Sequence, residues 1–281
     1  MSFKPIKYTA ITGATSGIGL ATAQGLVKSG HFVFLLGRNK DRLNELVKEF
    51  PEGSTQGVWM DLAQLNSVKQ AAQEIISSAP HLDHLILNAG GIFERFQETS
   101  DGFEWSFQIN HLSHFLLTQL LLPSLLASEH PRVISVSSEA HRLGKLNPND
   151  LELRSDYGAW KQYGQTKLMN ILFTKMLHSQ YNPQGLSAFA LHPGVVRSGF
   201  ASNNSGWMKY FGWMPFLKTP EQGAETSLYL AKDPAVFVLS GQYFKNKQVA
   251  KPSEEALNER NAQIIWTKSM ELLQSRGYLV G

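Results

Sequence analysis

Thr12-Gly13-Ala14-Thr15-Ser16-Gly17-Ile18-Gly19 decides the fold of this chain. The stretch closes a short apolar run over residues 8–12 and opens a helical pattern over 17–29, which Gly30 stops. A strand, a glycine turn and a helix in succession bring backbone N–H groups and a helix N-terminus up to a pyrophosphate. Glycine is required where a Cβ would keep the backbone from approaching its ligand. The spacing is G-x-x-x-G-x-G rather than G-x-G-x-x-G, and no Gly-Lys-Ser/Thr follows, which separates it from the triphosphate-binding P-loop. Gly13, Thr15, Ser16, Gly17, Ile18 and Gly19 are the candidate cradle.

Outward from this loop, apolar runs alternate with amphipathic ones. Strands are expected at 32–37, 57–60, 82–88, 132–138, 186–192 and 241–244. Helices are expected at 41–50, 65–78, 103–129 (one long pattern), 160–181, 220–232 and 254–274. Continuous apolar strands alternating with helices indicate an α/β fold: a Rossmann-type, doubly wound parallel sheet with helices on both faces. No linker or repeat interrupts it, so residues 1–281 are expected to form a single domain.

The 281 residues suffice for a well-buried core. Charge is nearly balanced, 26 Lys+Arg against 23 Asp+Glu, and the basic residues are scattered, which argues against a nucleic-acid partner. The absence of cysteine excludes thiolate catalysis and disulfides. His111-x-x-His114 has no third ligand, so no metal is expected. No signal peptide and no apolar run of ~18 residues is legible, and the expected location is cytoplasmic.

In such a fold ligands lie at the carboxyl ends of the strands. Arg38 follows the second strand; a carboxylate there would hold a ribose 2′-hydroxyl, whereas a guanidinium suits a 2′-phosphate. Arg38, with Lys40 and Arg42 as helpers, therefore favours NADP(H) over NAD(H). Asp61-Leu62 ends the third strand, beside the adenine, and Asn88-Ala89-Gly90 ends the fourth, where small residues let a cofactor lie against the backbone.

Tyr163-Gly164-Gln165-Thr166-Lys167 places a phenol and an ammonium one helical turn apart. A lysine cation is expected to draw the phenol down from its ordinary pKa near ~10 toward the working range. A serine from Ser137-Ser138 would hold a substrate oxygen. The chain has a second copy of the spacing, Tyr157 to Lys161, and the two serines alternate across the strand.

Taken in order, the T-G-x-x-x-G-x-G loop, Asp61, Asn88-Ala89-Gly90, Asn110, Val136-Ser137-Ser138, Tyr-x-x-x-Lys and Pro193-Gly194 resemble the short-chain dehydrogenase/reductase family over nearly the whole chain. Asn110-His111-Leu112-Ser113-His114-Phe115, Ser137-Ser138-Glu139-Ala140-His141 and Tyr163 to Phe173 are most similar to its retinol dehydrogenase and WW-domain oxidoreductase branch. The resemblance implies catalysis by Asn110, Ser138, Tyr163 and Lys167, with Tyr163 preferred to Tyr157 and Ser138 to Ser137. It also implies that Lys167 binds the nicotinamide ribose and that Pro193, Gly194, Val196 and Ser198 border the nicotinamide. His111, His114, His141 and His192 are expected to be structural, with His141 near enough to Ser138 to border the substrate. Residues 195–219, rich in aromatics over 206–217, read as a lid over an apolar carbonyl or alcohol substrate; a rival reading makes them a peripheral membrane or partner contact. Relatives often form homodimers or homotetramers. The expected function is an NADP(H)-dependent carbonyl–alcohol oxidoreductase; the alternative is a catalytically idle dinucleotide-binding scaffold.

Overall fold

The computed structural model describes residues 5–196 and 217–280. Strands β1 (Lys7–Thr12), β2 (His31–Gly37), β3 (Thr55–Trp59), β4 (His84–Leu87), β5 (Arg132–Val136), β6 (Ser187–His192), β7 (Tyr243–Lys245) and β8 (Gln248–Val249) form one sheet in the order β3-β2-β1-β4-β5-β6-β7-β8. Pairing is parallel from β3 to β7. Only β8, absent from the sequence expectation, runs antiparallel, joined to β7 through Asn246 and Lys247 at positive φ.

The helices between the strands are α1 (Gly17–Val27), α2 (Lys40–Glu49), α3 (Leu65–Ser78), α4 (Trp105–Phe107), α5 (Ser113–Leu126), α6 (Ala159–Tyr181) and α7 (Pro220–Lys232); α8 (Glu254–Leu257) and α9 (Glu259–Ser275) follow β8. Alternation along each strand feeds two cores. Ala10, Phe34, Leu36, Leu85 and Leu87 face one core with Phe115, Leu172 and Ile265. Ile11, Val33, Leu35, Ile86 and Ile134 face the other with Leu26, Leu46 and Leu230. Burying each of the larger of these side chains contributes about 1.5–3 kcal/mol, which is why the strands read as unbroken apolar runs.

Most elements fall within about two residues of expectation, and three departures have a visible cause. The long helix over 103–129 is not uniform: a π turn, Gln108–Leu112, separates α4 from α5, with the Ser113 N–H reaching back five residues to the Gln108 carbonyl. The C-terminal helix breaks at Asn258, whose side chain accepts the Asn261 N–H at 3.3 Å and caps α9. The fifth strand ends at Val136, because Ser138 turns its hydroxyl to the Ala140 N–H at 3.2 Å and starts a 3₁₀ turn, Glu139–Leu143. Among the described residues no helix is long and apolar enough to cross a membrane.

Candidate active site

The glycine loop leaves β1 at the point where strand order reverses between β1 and β4, the crevice in which doubly wound sheets bind ligands. Gly13 and Gly17 stand at φ 68° and 55°, conformations a side chain would strain. A Cβ on Gly19 would lie 2.2 Å from the Gly13 carbonyl oxygen, so α1 packs directly on the loop. Ser16 precedes α1 without a side-chain cap, leaving the helix's first N–H groups to the crevice. The end of β4 is stitched to the loop: Thr12 Oγ1 accepts the N–H groups of Asn88 and Ala89, both at 2.9 Å, and Asn88 Nδ2 donates to the Thr12 carbonyl at 3.0 Å. With both acceptor positions filled, Thr12 donates its proton to His114 Nε2, 3.0 Å away, and His114 Nδ1 lies 3.3 Å from the Asn110 carbonyl. Burial pushes His114 down to about 3, so it is neutral, and the tautomer carries its proton on Nδ1.

Arg38 is exposed just past β2 and forms no ion pair among the described residues. Lys40 stacks its ammonium 4.8 Å above the Trp59 ring. Arg42, expected as a helper, is engaged through Nη1 by Glu45 at 3.2 Å and Glu49 at 2.8 Å, neighbours along α2. Asp61 turns its carboxylate to the Ala63 N–H at 3.0 Å, and the Leu62 carbonyl accepts from Ser113 at 2.6 Å. These bonds tie the segment that follows β3 to the start of α5.

Asn110 sits within the π turn, fully buried. Its amide accepts the Gly91 N–H at 2.8 Å and donates to the Gly91 carbonyl at 2.9 Å and to Thr166 at 3.1 Å. A Cβ on Gly90 would approach Asn110 Oδ1 at 2.9 Å and Lys167 Nζ at 3.2 Å, so Gly90 is the gap through which these groups meet. Lys167 Nζ donates to the Val136 carbonyl at 3.0 Å and lies 5.6 Å from the centre of the Tyr163 ring.

The two serines part company. Ser137 is buried and donates to the Lys167 carbonyl at 2.7 Å, whereas Ser138 lies on the Tyr163 side, close enough to its hydroxyl to favour the phenolate. The two tyrosines part as well. Tyr157 donates to the Phe93 carbonyl at 2.7 Å, and Lys161 is exposed and paired with Asp156. Ser138, Tyr163, Lys167 and Asn110 thus converge at the carboxyl edge of β4 and β5, and the other pair lies in the adjoining loop.

Electrostatics differ from the sequence expectation. Desolvation by burial, only partly offset by the nearby Ser138 hydroxyl, pushes Tyr163 up to about 12. The same burial brings Lys167 down to about 8. In this dry environment the loss of water dominates, so the phenol keeps its proton at neutral pH.

Sequence reasoning missed two glycines that set this geometry. A Cβ on Gly164 would lie 2.7 Å from the Ala140 carbonyl oxygen, and one on Gly144 would lie 2.5 Å from that of Gly164. Only bare backbone lets α6 touch the 139–143 turn and bring Tyr163 to Ser138. The available signal was a glycine inside a helix, which costs about 1 kcal/mol relative to alanine and calls for a reason. Beyond β6, Gly194 has φ 96°, and Val196 forms a parallel bridge with Lys218. Ser198 and residues 206–216 of the expected lid lie outside the described residues. His111 bonds Ser269 at 3.0 Å and His114 bonds Thr12, so the two histidines serve different elements; among the described residues no metal-holding cluster occurs.

A sheet of this order, a glycine loop at its switch point and a half-buried serine beside a buried tyrosine and lysine define a dinucleotide-dependent oxidoreductase. The short chain dehydrogenase family model matches residues 7–209, and the chain belongs to that family. Human retinol dehydrogenase 11 is 38% identical over 275 residues, covering 96% of this chain and 86% of that protein. Human WW domain-containing oxidoreductase is 37% identical, covering 96% of this chain and 69% of that protein. An uncharacterized protein from Mycobacterium paratuberculosis superposes with a TM-score of 0.78 at 31% identity, covering 95% of this chain and 93% of that one. Family membership brings a nicotinamide dinucleotide as cofactor and a small carbonyl or alcohol as substrate. The left-handed glycines, the uncapped α1 N-terminus and the gap at Gly90 fit that cofactor.

Proposed function

We propose that the protein is an NADP(H)-dependent oxidoreductase that interconverts a carbonyl and an alcohol on an apolar substrate, with Asn110, Ser138, Tyr163 and Lys167 as its catalytic group. The observation that carries this reading is the convergence of Ser138 and Lys167 on a Tyr163 hydroxyl that burial keeps protonated. The cofactor supplies a hydride to the carbonyl carbon when bound. Ser138 hydrogen-bonds the substrate oxygen and orients it. Tyr163 donates its proton to that oxygen as negative charge develops there. Lys167, close behind the ring, stabilises the phenolate left after transfer and binds the nicotinamide ribose. Asn110 holds Gly91, and with it the β4 end, in register with α6. Alcohol oxidation runs the same steps in reverse.

Around Tyr163 lie Ile92, Ala140 and Ala159, and Trp160 meets the ring edge-on at 6.0 Å. This apolar surround supports an apolar substrate. The ends of the 195–219 segment meet where Lys218 N–H donates to the Val195 carbonyl at 2.9 Å, which supports a lid that leaves and rejoins the sheet beside the site. NADPH oxidation with retinal, a steroid ketone, decanal and a quinone tests the reading. Turnover of at least one is expected, with Tyr163→Phe lowering kcat by about 10²-fold or more and Tyr157→Phe leaving it within about twofold, as expected of a hydroxyl spent on a loop carbonyl. Equal losses in the two variants would refute the assignment.

A further inference from the structure

His141 is fully buried and takes no part in the steps above, yet both of its ring nitrogens are bonded. Nδ1 lies 2.6 Å from the Ser138 carbonyl oxygen, and the Ser253 backbone N–H donates to Nε2 at 3.0 Å. A carbonyl only accepts and an amide N–H only donates. The ring therefore carries its proton on Nδ1 and none on Nε2. An imidazolium would turn a second N–H against that of Ser253, and burial holds His141 below its ordinary pKa. The Ser138 carbonyl also accepts the backbone N–H of His141 at 3.0 Å, so one residue grips the Ser138 peptide twice.

The same turn is fastened to the same remote chain elsewhere. Arg142 donates to the Lys251 carbonyl at 2.7 Å, and Tyr243 donates to Glu139 at 2.9 Å while its ring meets His141 edge-on at 5.0 Å. A phenylalanine would fill the space of His141 but leave the Ser253 N–H without its acceptor and the Ser138 carbonyl with one donor fewer.

We infer that His141 is a positioning residue, which fixes the peptide of Ser138, and so its hydroxyl, against the chain segment that precedes α8. The inference rests on the role of Ser138 proposed above. It separates His141 from the substrate contact that its place in the sequence suggested: the ring is turned away into the protein and is used up there.

Two measurements on the full chain test it. In ¹⁵N-labelled protein, histidine side-chain NMR is expected to show His141 neutral, protonated on Nδ1. In kinetics with NADPH and decanal or retinal, His141→Phe is expected to lower kcat about tenfold with KM little changed. His141→Asn, whose amide still donates to the Ser138 carbonyl, should recover most of that loss, and His141→Gln, which reaches Ser253 instead, should not. In a Ser138→Ala background His141→Phe should cost nothing further, because it acts through Ser138. Equal losses in both backgrounds, an Nε2-protonated ring, or Gln rescuing better than Asn would overturn the inference and leave Ser138 standing. Full activity of Ser138→Ala, or a wild-type chain inert toward both probes, would overturn the role of Ser138 and the inference with it. If His141→Phe does not fold, the Asn and Gln variants decide.

Discussion

Arg38 holds its charge in the open, one residue beyond the end of β2, with no carboxylate to neutralise it among the described residues. An anion arriving there meets an unspent guanidinium, whereas at Arg42 it would have to displace two glutamates. Arg38→Asp is therefore expected to lower the ratio of NADPH to NADH affinity by about tenfold or more, the worth of one charged hydrogen bond. Fluorescence titration of both cofactors measures it, and an unchanged ratio would remove Arg38 from the 2′-phosphate site. The position of Arg38 was legible because a residue that ends a strand is placed by its immediate neighbours. The protonation of Tyr163 was not. The spacing to Lys167 suggested a lowered phenol pKa, but desolvation by distant parts of the chain pushes it up to about 12. Its direction suits a group that must hold a proton before giving it up.

Helix α6 is where local and tertiary demands conflict. Its interior glycine, Gly164, weakens the isolated helix yet permits contact with the Ala140 carbonyl. Gly164→Ala, which in an ordinary exposed helix would stabilise by about 1 kcal/mol, is expected here to lower both the melting temperature and kcat, as the added methyl pushes the 139–143 turn and Ser138 away from Tyr163. Calorimetry beside steady-state kinetics would show it, and a stabilised, fully active variant would mean that the turn gives way without harm. The π turn at Asn110 teaches the complementary lesson. Apolar periodicity cannot distinguish one widened turn from a regular helix. The turn is seen to be held by Asn110 bonding Gly91 and Thr166, partners 19 and 56 residues away.

The whole molecule buries several histidines as neutral rings. Burial lowers His31, His111 and His192 to about 4 and His114 to about 3, from 6.5. Between 6.5 and those values the unfolded chain binds protons that the folded chain refuses. Stability is therefore complete above pH 6.5 and falls as pH drops through that window, by up to about 1.4 kcal/mol per pH unit for each histidine. Urea denaturation at pH 7.5, 6.0, 5.0 and 4.5 should give steadily falling midpoints. A flat series would contradict neutral burial. The resemblance suggested structural roles for His111, His114 and His192 but gave no sign of His31; His31 and His84 share Thr9 across three strands only once β2, β1 and β4 are assembled.

By itself the sequence determined most of the succession of strands and helices, the parallel sheet and the glycine loop between its first strand and first helix. These depend on periodicity and on backbone freedom within a few residues, which is local information. It also contained the residues that meet in the crevice, though not their relations. Tertiary structure decided that Ser137 serves Lys167 while Ser138 serves Tyr163, that Tyr157 is spent on Phe93, that the ring of His141 faces inward, and which groups keep their protons. Those outcomes depend on desolvation and on hydrogen bonds between residues far apart along the chain, and neither exists until the chain has folded.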